Sequence, residues 1–269
     1  MEIFGYSFVQ NAIAGIILIS IVSAMIGTYI VARRQVFISG GITHACFGGL
    51  GLGYYLGVSP ILMASVFAVA SSMGVEWISQ HHRIRTDSAI AVVWALGMAI
   101  GTLFIFLTPG YVPDLNSFLF GNILTITRGD LLAFAIFAVV TGCFFLLFFR
   151  MIVVCAFDAD FARTIHLPVR FINYSMTILV AVSIVLTIRM IGIMLLMSLF
   201  TMPQLIAEQY AHRFKTIMCM SVAVSMCGSI AGLVAAYFID VPVSATIVLS
   251  LATMYILSRI IKAFNGKNR

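Results

Sequence analysis

Apolar stretches about 20 residues long, interrupted at intervals by charges, prolines and glycines, run through the whole chain. The first is Phe8–Ala32, ended by Arg33 and Arg34, and the second is Phe37–Leu56, followed by a Gly57-Val58-Ser59-Pro60 turn. Ile61–Gln80 stops at a cluster from His81 to Arg85, and Ser88–Leu107 is broken by Pro109, Gly110 and Pro113. Residues 109–130 are mixed, with a short amphipathic stretch too brief to span a bilayer. Leu131–Val154 comes next, then a polar segment, Phe157–Arg170. Phe171–Ile188 and Gly192–Tyr210 are separated by a turn holding Arg189, and Thr216–Ile239 and Val243–Ile261 hinge at Asp240-Val241-Pro242. About 20 residues at roughly 1.5 Å each cross about 30 Å of hydrocarbon. The pattern predicts an all-α polytopic membrane protein with about nine transmembrane helices, or eight if the sixth and seventh runs are partly re-entrant. A membrane β-barrel would show short segments of alternating polarity, and none is visible.

Composition narrows the class. Of 269 residues, 62% are hydrophobic and 9% are charged, whereas soluble domains run near a quarter charged. An ordinary cytosolic enzyme and a disordered chain are both excluded. Lys and Arg fix the expected orientation. With the N-terminus outside and the C-terminus cytoplasmic, all of the 15 basic residues except Arg128 and Arg189 fall inside. The net charge of +6 is therefore a topology signal rather than a nucleic-acid signature. No basic residue precedes the first run, so no cleavable signal peptide is expected. The five cysteines contain no CxxC pair and read as small buried hydrophobes.

Polar groups at membrane depth are the candidates for chemistry. His44 lies near the centre of the second run, where its imidazole either faces a cavity and takes a metal ion or bonds to a neighbouring helix. Gly41, Ala45, Gly49, Gly53 and Gly57 recur every fourth position, a ridge for close helix approach that also fits a narrow path. Met190, Met194 and Met197 have the spacing of one helix face, either core filler or soft-metal donors. Glu76 with His81 and Glu208 with His212 read as helix-end ion pairs or solvated faces. No GxxxxGK[ST], HExxH or GxSxG occurs, so the chain has no ATP-binding loop and no visible intramembrane hydrolase. Nor is there an internal repeat of the kind that marks secondary transporters.

The loop AFDADFARTIHLPV (156–169) predicts a short helix. Asp158 caps it, Asp160 lies in its first turn and Pro168 stops it. Phe157, Phe161 and Ile165 make an apolar face, with Asp160 and Arg163 polar. Such a face rests on its own bundle or on lipid, or fits a partner's groove.

Four segments together resemble the membrane permease of zinc/manganese-type ATP-binding cassette importers, over nearly the whole chain. RRQVFISGGITHA (33–45) is similar to the family's second-helix block of two arginines and Gly-Asp-x-x-[Ser/Ala]-His-Ala. LNSFLFGNILTITRGDL (115–131) resembles its external segment, AFDADFARTIHLPV its coupling loop, and IGIMLLMSLFTMPQLIA (191–207) its VGxLLxxxLLxxPxxxA helix. The resemblance implies a single transmembrane permease domain over residues 1–269, homodimeric in the bacterial plasma membrane, with its path at or near the dimer interface. It implies two cytoplasmic ATPase subunits and an extracytoplasmic metal-binding protein as partners. The chain itself would bind no cofactor, and ATP would be used on the partner subunit. The cargo would be a divalent metal ion (zinc, manganese or iron); iron-chelate or cobalamin import, or ATP-independent transport, is the alternative. His44 matches the family's metal-contacting histidine. Phe157, Asp158, Asp160, Phe161, Arg163, Ile165 and Leu167 match its ATPase-coupling helix. The family's acidic residue four positions before the histidine falls at Gly40 here, and its coupling-loop glycine at His166. A lone imidazole near Thr43 and Cys46 favours softer or borderline ions over Mn²⁺.

Overall fold

The computed structural model describes residues 7–81, 85–109, 121 and 123–267. Among them the structure is helical throughout. The helices are α1 (Ser7–Ala32), α2 (Phe37–Leu56), α3 (Pro60–His81), α4 (Thr86–Leu107), α5 (Arg128–Phe157), α6 (Ala159–Thr164), α7 (Val169–Ile191), α8 (Ile193–Leu199), α9 (Met202–Tyr210), α10 (Phe214–Ile239) and α11 (Val243–Lys267). A single 3₁₀ turn, Ile123–Thr125, precedes α5. Glu2, Asp114 and most of the short stretch before the fifth run lie outside the described residues.

Seven of these helices (α1, α3, α4, α5, α7, α10 and α11) are long and apolar enough to cross a membrane. Helix α2 matches the second run residue for residue, but its glycines dilute its hydropathy. The run Gly192–Tyr210 departs from expectation. Instead of one span it forms two short helices, α8 and α9. Gly192 starts the first at φ 80°, and Pro203 opens the second. A proline ring supplies no N–H for the preceding turn, so the ladder restarts there.

The chain divides into two compact units. One comprises Met1–Val31, Phe118–Leu147 and Arg189–Arg269; the other comprises Ala32–Ser117 and Phe148–Ile188. In the first unit, buried polar side chains join helices. Ser225 Oγ donates to Ser20 Oγ at 2.9 Å, and Gln204 Nε2 donates to the Ser23 carbonyl at 2.8 Å. Gln204 also reaches the Leu199 carbonyl at 3.3 Å, so its amide takes up a carbonyl left over where α8 stops.

In the second unit, α2 packs on α3 and α4. The small-residue ridge is shared between them rather than presented to one neighbour. Gly41 faces Ile90 of α4, while a Cβ on Gly49 would meet Ala64 Cα of α3 at 2.7 Å. A Cβ on Gly53 would meet Pro60 Cα at the same distance. Toward α4, Gly51 abuts Gly101, and Gly97 abuts Ala45. Gly57 ends the helix in the left-handed conformation, φ 67°, where a side chain is strained. Small residues allow this approach, and dispersion contacts and weak polar contacts then hold the helices where apolar burial supplies little force.

Gly97→Val puts a branched side chain into the α4–α2 contact and should destabilise the fold by about 3 kcal/mol, read as a lower thermal midpoint of the purified protein. Gly142→Ala, where no atom lies within 4 Å of the added Cβ, should hold or raise that midpoint.

Candidate functional site

His44 sits in the second turn of α2, within the packed second unit. Its neighbours at i−3 and i+1, Gly41 and Ala45, are both pressed against α4. The imidazole therefore leans on α4, where the indole of Trp94 stacks on it with ring centroids 4.4 Å apart and planes 3° from parallel. Phe47 lies near-parallel at 6.2 Å. The imidazole Nδ1 is buried and has no hydrogen-bond partner. Thr43 Oγ1 is likewise buried and unpartnered, but successive residues of a helix point about 100° apart. Cys46 Sγ is turned to the Ile42 carbonyl of its own helix at 3.1 Å. Thr43 and Cys46 therefore do not join His44 in a common donor set. No group of three His, Cys, Asp or Glu side chains gathers among the described residues.

The methionines do not share a face. Met190 closes α7, buried, while Met194 lies exposed in α8; Gly192 breaks the helix between them. Glu76 has an ion-pair partner outside its own helix: Arg33 approaches it to 3.7 Å, and the pair is almost wholly buried.

At the other predicted face, Thr127 and Asp130 form a capping box on α5. Thr127 Oγ1 donates to Asp130 Oδ2 at 2.6 Å, and the Asp130 N–H donates to Thr127 Oγ1 at 3.1 Å. Arg189 Nε meets Asp130 Oδ1 at 2.7 Å. One carboxylate thus stabilises a helix start and neutralises one of the two basic residues that the charge pattern leaves outside.

The segment after α5 folds as one turn of helix, α6. Asp158 is extended, and its carboxylate accepts the Phe161 N–H at 2.8 Å. Asp160 pairs with Arg163 at 2.7 Å on the exposed surface. Phe157 belongs to the end of α5 rather than to α6, so the apolar spacing 157–161–165 runs across a helix boundary. Phe157, Phe161 and Ile165 are nonetheless all exposed, at 62%, 54% and 46%, while Leu167 is half-buried. The stop is set by His166 and not by Pro168. His166 adopts φ 58°, and the Leu167 N–H returns to the Ala162 carbonyl at 3.0 Å, closing the turn as a glycine usually does. Pro168 instead heads α7, its carbonyl accepting the Ile172 N–H at 3.1 Å.

Sequence reasoning missed Trp94. Its signal was a tryptophan in the middle of an apolar run, four after Ile90 and three before Gly97, one helix face with two residues pressed on α2.

A model of the ABC 3 transport family matches residues 5–262. A membrane protein of Synechocystis is 35% identical over 94% of this chain and 90% of its own length. The manganese transport system membrane protein MntC of Halalkalibacterium halodurans is 28% identical over 96% of this chain and 88% of its own. Among solved structures, a chain of PsaBC from Streptococcus pneumoniae in complex with Fab superposes with a TM-score of 0.82 at 26% identity. That match covers 96% of this chain and 92% of the other.

Asp158→Ala removes the α6 cap, about 1 kcal/mol, and should speed amide exchange across residues 159–167 about fivefold. His166→Gly relieves a left-handed side chain and should slow the same exchange by a similar factor, read by hydrogen–deuterium exchange.

Proposed function

Because the chain belongs to the ABC 3 transport family, we propose that it is the permease subunit of an ATP-binding cassette importer that brings a divalent transition-metal ion into a bacterial cell across the plasma membrane. Zinc, manganese and iron are the cargo class. The chain works as a homodimer with cytoplasmic ATPase subunits and an extracytoplasmic metal-binding protein. The observation that carries this reading is the capped helix α6 with its flanks, where Phe157 at the end of α5, Phe161 in α6 and Ile165 just after it are all exposed, on a chain with no nucleotide-binding loop of its own. An exposed aromatic pair beside a surface ion pair is a surface for a partner's groove. Phe157, Asp158, Asp160, Phe161, Arg163, Ile165 and Leu167 form the ATPase contact, and His44 is the path ligand.

Nine crossings with the N-terminus outside fit the side-chain ties. Alternation puts the start of α5 and the end of α7 outside, and Asp130 and Arg189 at those two ends are paired. It puts the ends of α9 and α11 inside, and Lys262 Nζ donates to the Gln209 carbonyl at 2.6 Å. The seventh crossing is the broken pair α8–α9. Apart from Arg128 at the outer start of α5, the remaining exposed cations lie inside, where they favour anionic headgroups.

The mechanism follows from rigidity. Closure of the ATPases displaces α6, and the continuous helix α5 ending at Phe157 transmits the push to the bundle. A shift of packed helices then exposes His44 to one side or the other. A neutral imidazole binds a borderline divalent ion more readily than a hard one, and with no carboxylate at Gly40 the ion is held loosely enough to leave.

In cells given Zn, Mn and Fe separately, His44→Ala should lower accumulation of the true cargo about tenfold or more at equal protein level. Phe161→Asp should leave folding intact but abolish both uptake and co-purification with the ATPase, since a charge in an apolar contact costs several kcal/mol. Undiminished uptake in Phe161→Asp would refute the coupling assignment.

A further inference from the structure

We infer that Trp94 positions the His44 imidazole for the ion, replacing the hydrogen bond that usually holds a metal-ligating histidine. This rests on the assignment of His44 to the path. A histidine ligand ordinarily donates its second ring N–H to a carboxylate or carbonyl, which fixes the ring's rotation. Here Nδ1 is buried with no partner, and the position one turn earlier is Gly40, with no side chain to supply one.

The indole supplies the restraint by another route. Its face covers the face of the imidazole at 4.4 Å and 3°, a stacked geometry worth about 0.5–1.5 kcal/mol beyond burial. A ring nitrogen binds a metal through a lone pair in the ring plane, so a ring stacked above that plane restrains rotation without competing for the donor. Nothing else about the stack is free to drift. Trp94 lies between Ile90, which presses on Gly41, and Gly97, which presses on Ala45. His44 lies between Gly41 and Ala45 on the opposing helix. Each ring therefore stands on a backbone fixed by the same two contacts. Trp94 is 37% exposed, so the stack lies at the margin of the α2–α4 contact rather than sealed within it.

The consequence is a site of low valence with one well-aimed nitrogen. Loss of the stack should weaken capture of the ion more than its turnover. The test begins with uptake kinetics in the complete transporter. Trp94→Leu should raise KM for the metal about tenfold with maximal rate changed less than about twofold, and Trp94→Phe, which keeps an aromatic face, should recover most of the affinity. A Trp94→Leu KM equal to wild type, with His44→Ala still inactive, overturns the positioning role and leaves the path assignment standing. Unchanged uptake in His44→Ala removes both.

A second measurement does not depend on Trp94 variants folding. The chain has two tryptophans, so Trp77→Phe leaves Trp94 as the sole indole emitter. Adding His44→Ala to that background should change the Trp94 emission intensity. Whichever of Zn²⁺, Fe²⁺ and Mn²⁺ is the cargo should alter emission only when His44 is present. Identical Trp94 emission with and without His44 would show that the rings do not stack in the membrane and would overturn the inference. A changed emission with no response to Mn²⁺, Zn²⁺ or Fe²⁺ would keep the stack and reject its role in holding the ion.

Discussion

The close approach of α2 and α4 is the constraint from which the functional geometry follows. In hydrocarbon, apolar burial gives helices little reason to associate, so the contact depends on backbones drawing near enough for dispersion and weak polar contacts. Gly97 against Ala45 and Gly101 against Gly51 make this approach. The register it fixes sets Trp94 over His44. A larger residue at any of these positions would part the helices, and the ring stack would part with them. The same small residues that look like packing filler are therefore what brings the only described intramembrane histidine against an aromatic face.

Charge is used sparingly, and several of the charges are paired. Arg33 and Glu76 are buried together, as a lone buried ion would be far costlier. Asp130 satisfies the start of α5 and offsets Arg189 at once. The exposed Asp160–Arg163 pair contributes little to stability; its worth lies in holding α6 polar on one side while the aromatic side stays open.

Much of this was legible in the residues. The long apolar runs became helices because a chain in hydrocarbon must satisfy its own backbone, and Phe37–Leu56 matched to the residue because Gly57 can turn left-handed at its end. Asp158 as a cap was readable from its position before an apolar-spaced turn, and the structure has it bonded to the Phe161 N–H. Other features were not. The apolar run Gly192–Tyr210 carries no sign in its hydropathy that Gly192 and Pro203 divide it, and the methionines at helical spacing fell on different elements for that reason. The left-handed turn at His166 was signalled only by the glycine that the resembled coupling loop has at that position, since the residue spacing around it gives no such sign.

By itself the sequence determined that this chain carries many long apolar helices, which loops are basic, that a capped amphipathic turn follows Phe157 and that one histidine falls within the second apolar run. These depend on composition, spacing and local bonding, all of which are written along the chain. Only the tertiary structure decided that Trp94 stacks on that histidine, that Arg33 meets Glu76, and that the glycine ridge serves two neighbours. Those outcomes depend on which helix faces meet. The meeting is set by the fit of small residues across helices tens of positions apart, a relation that no periodicity within one helix contains.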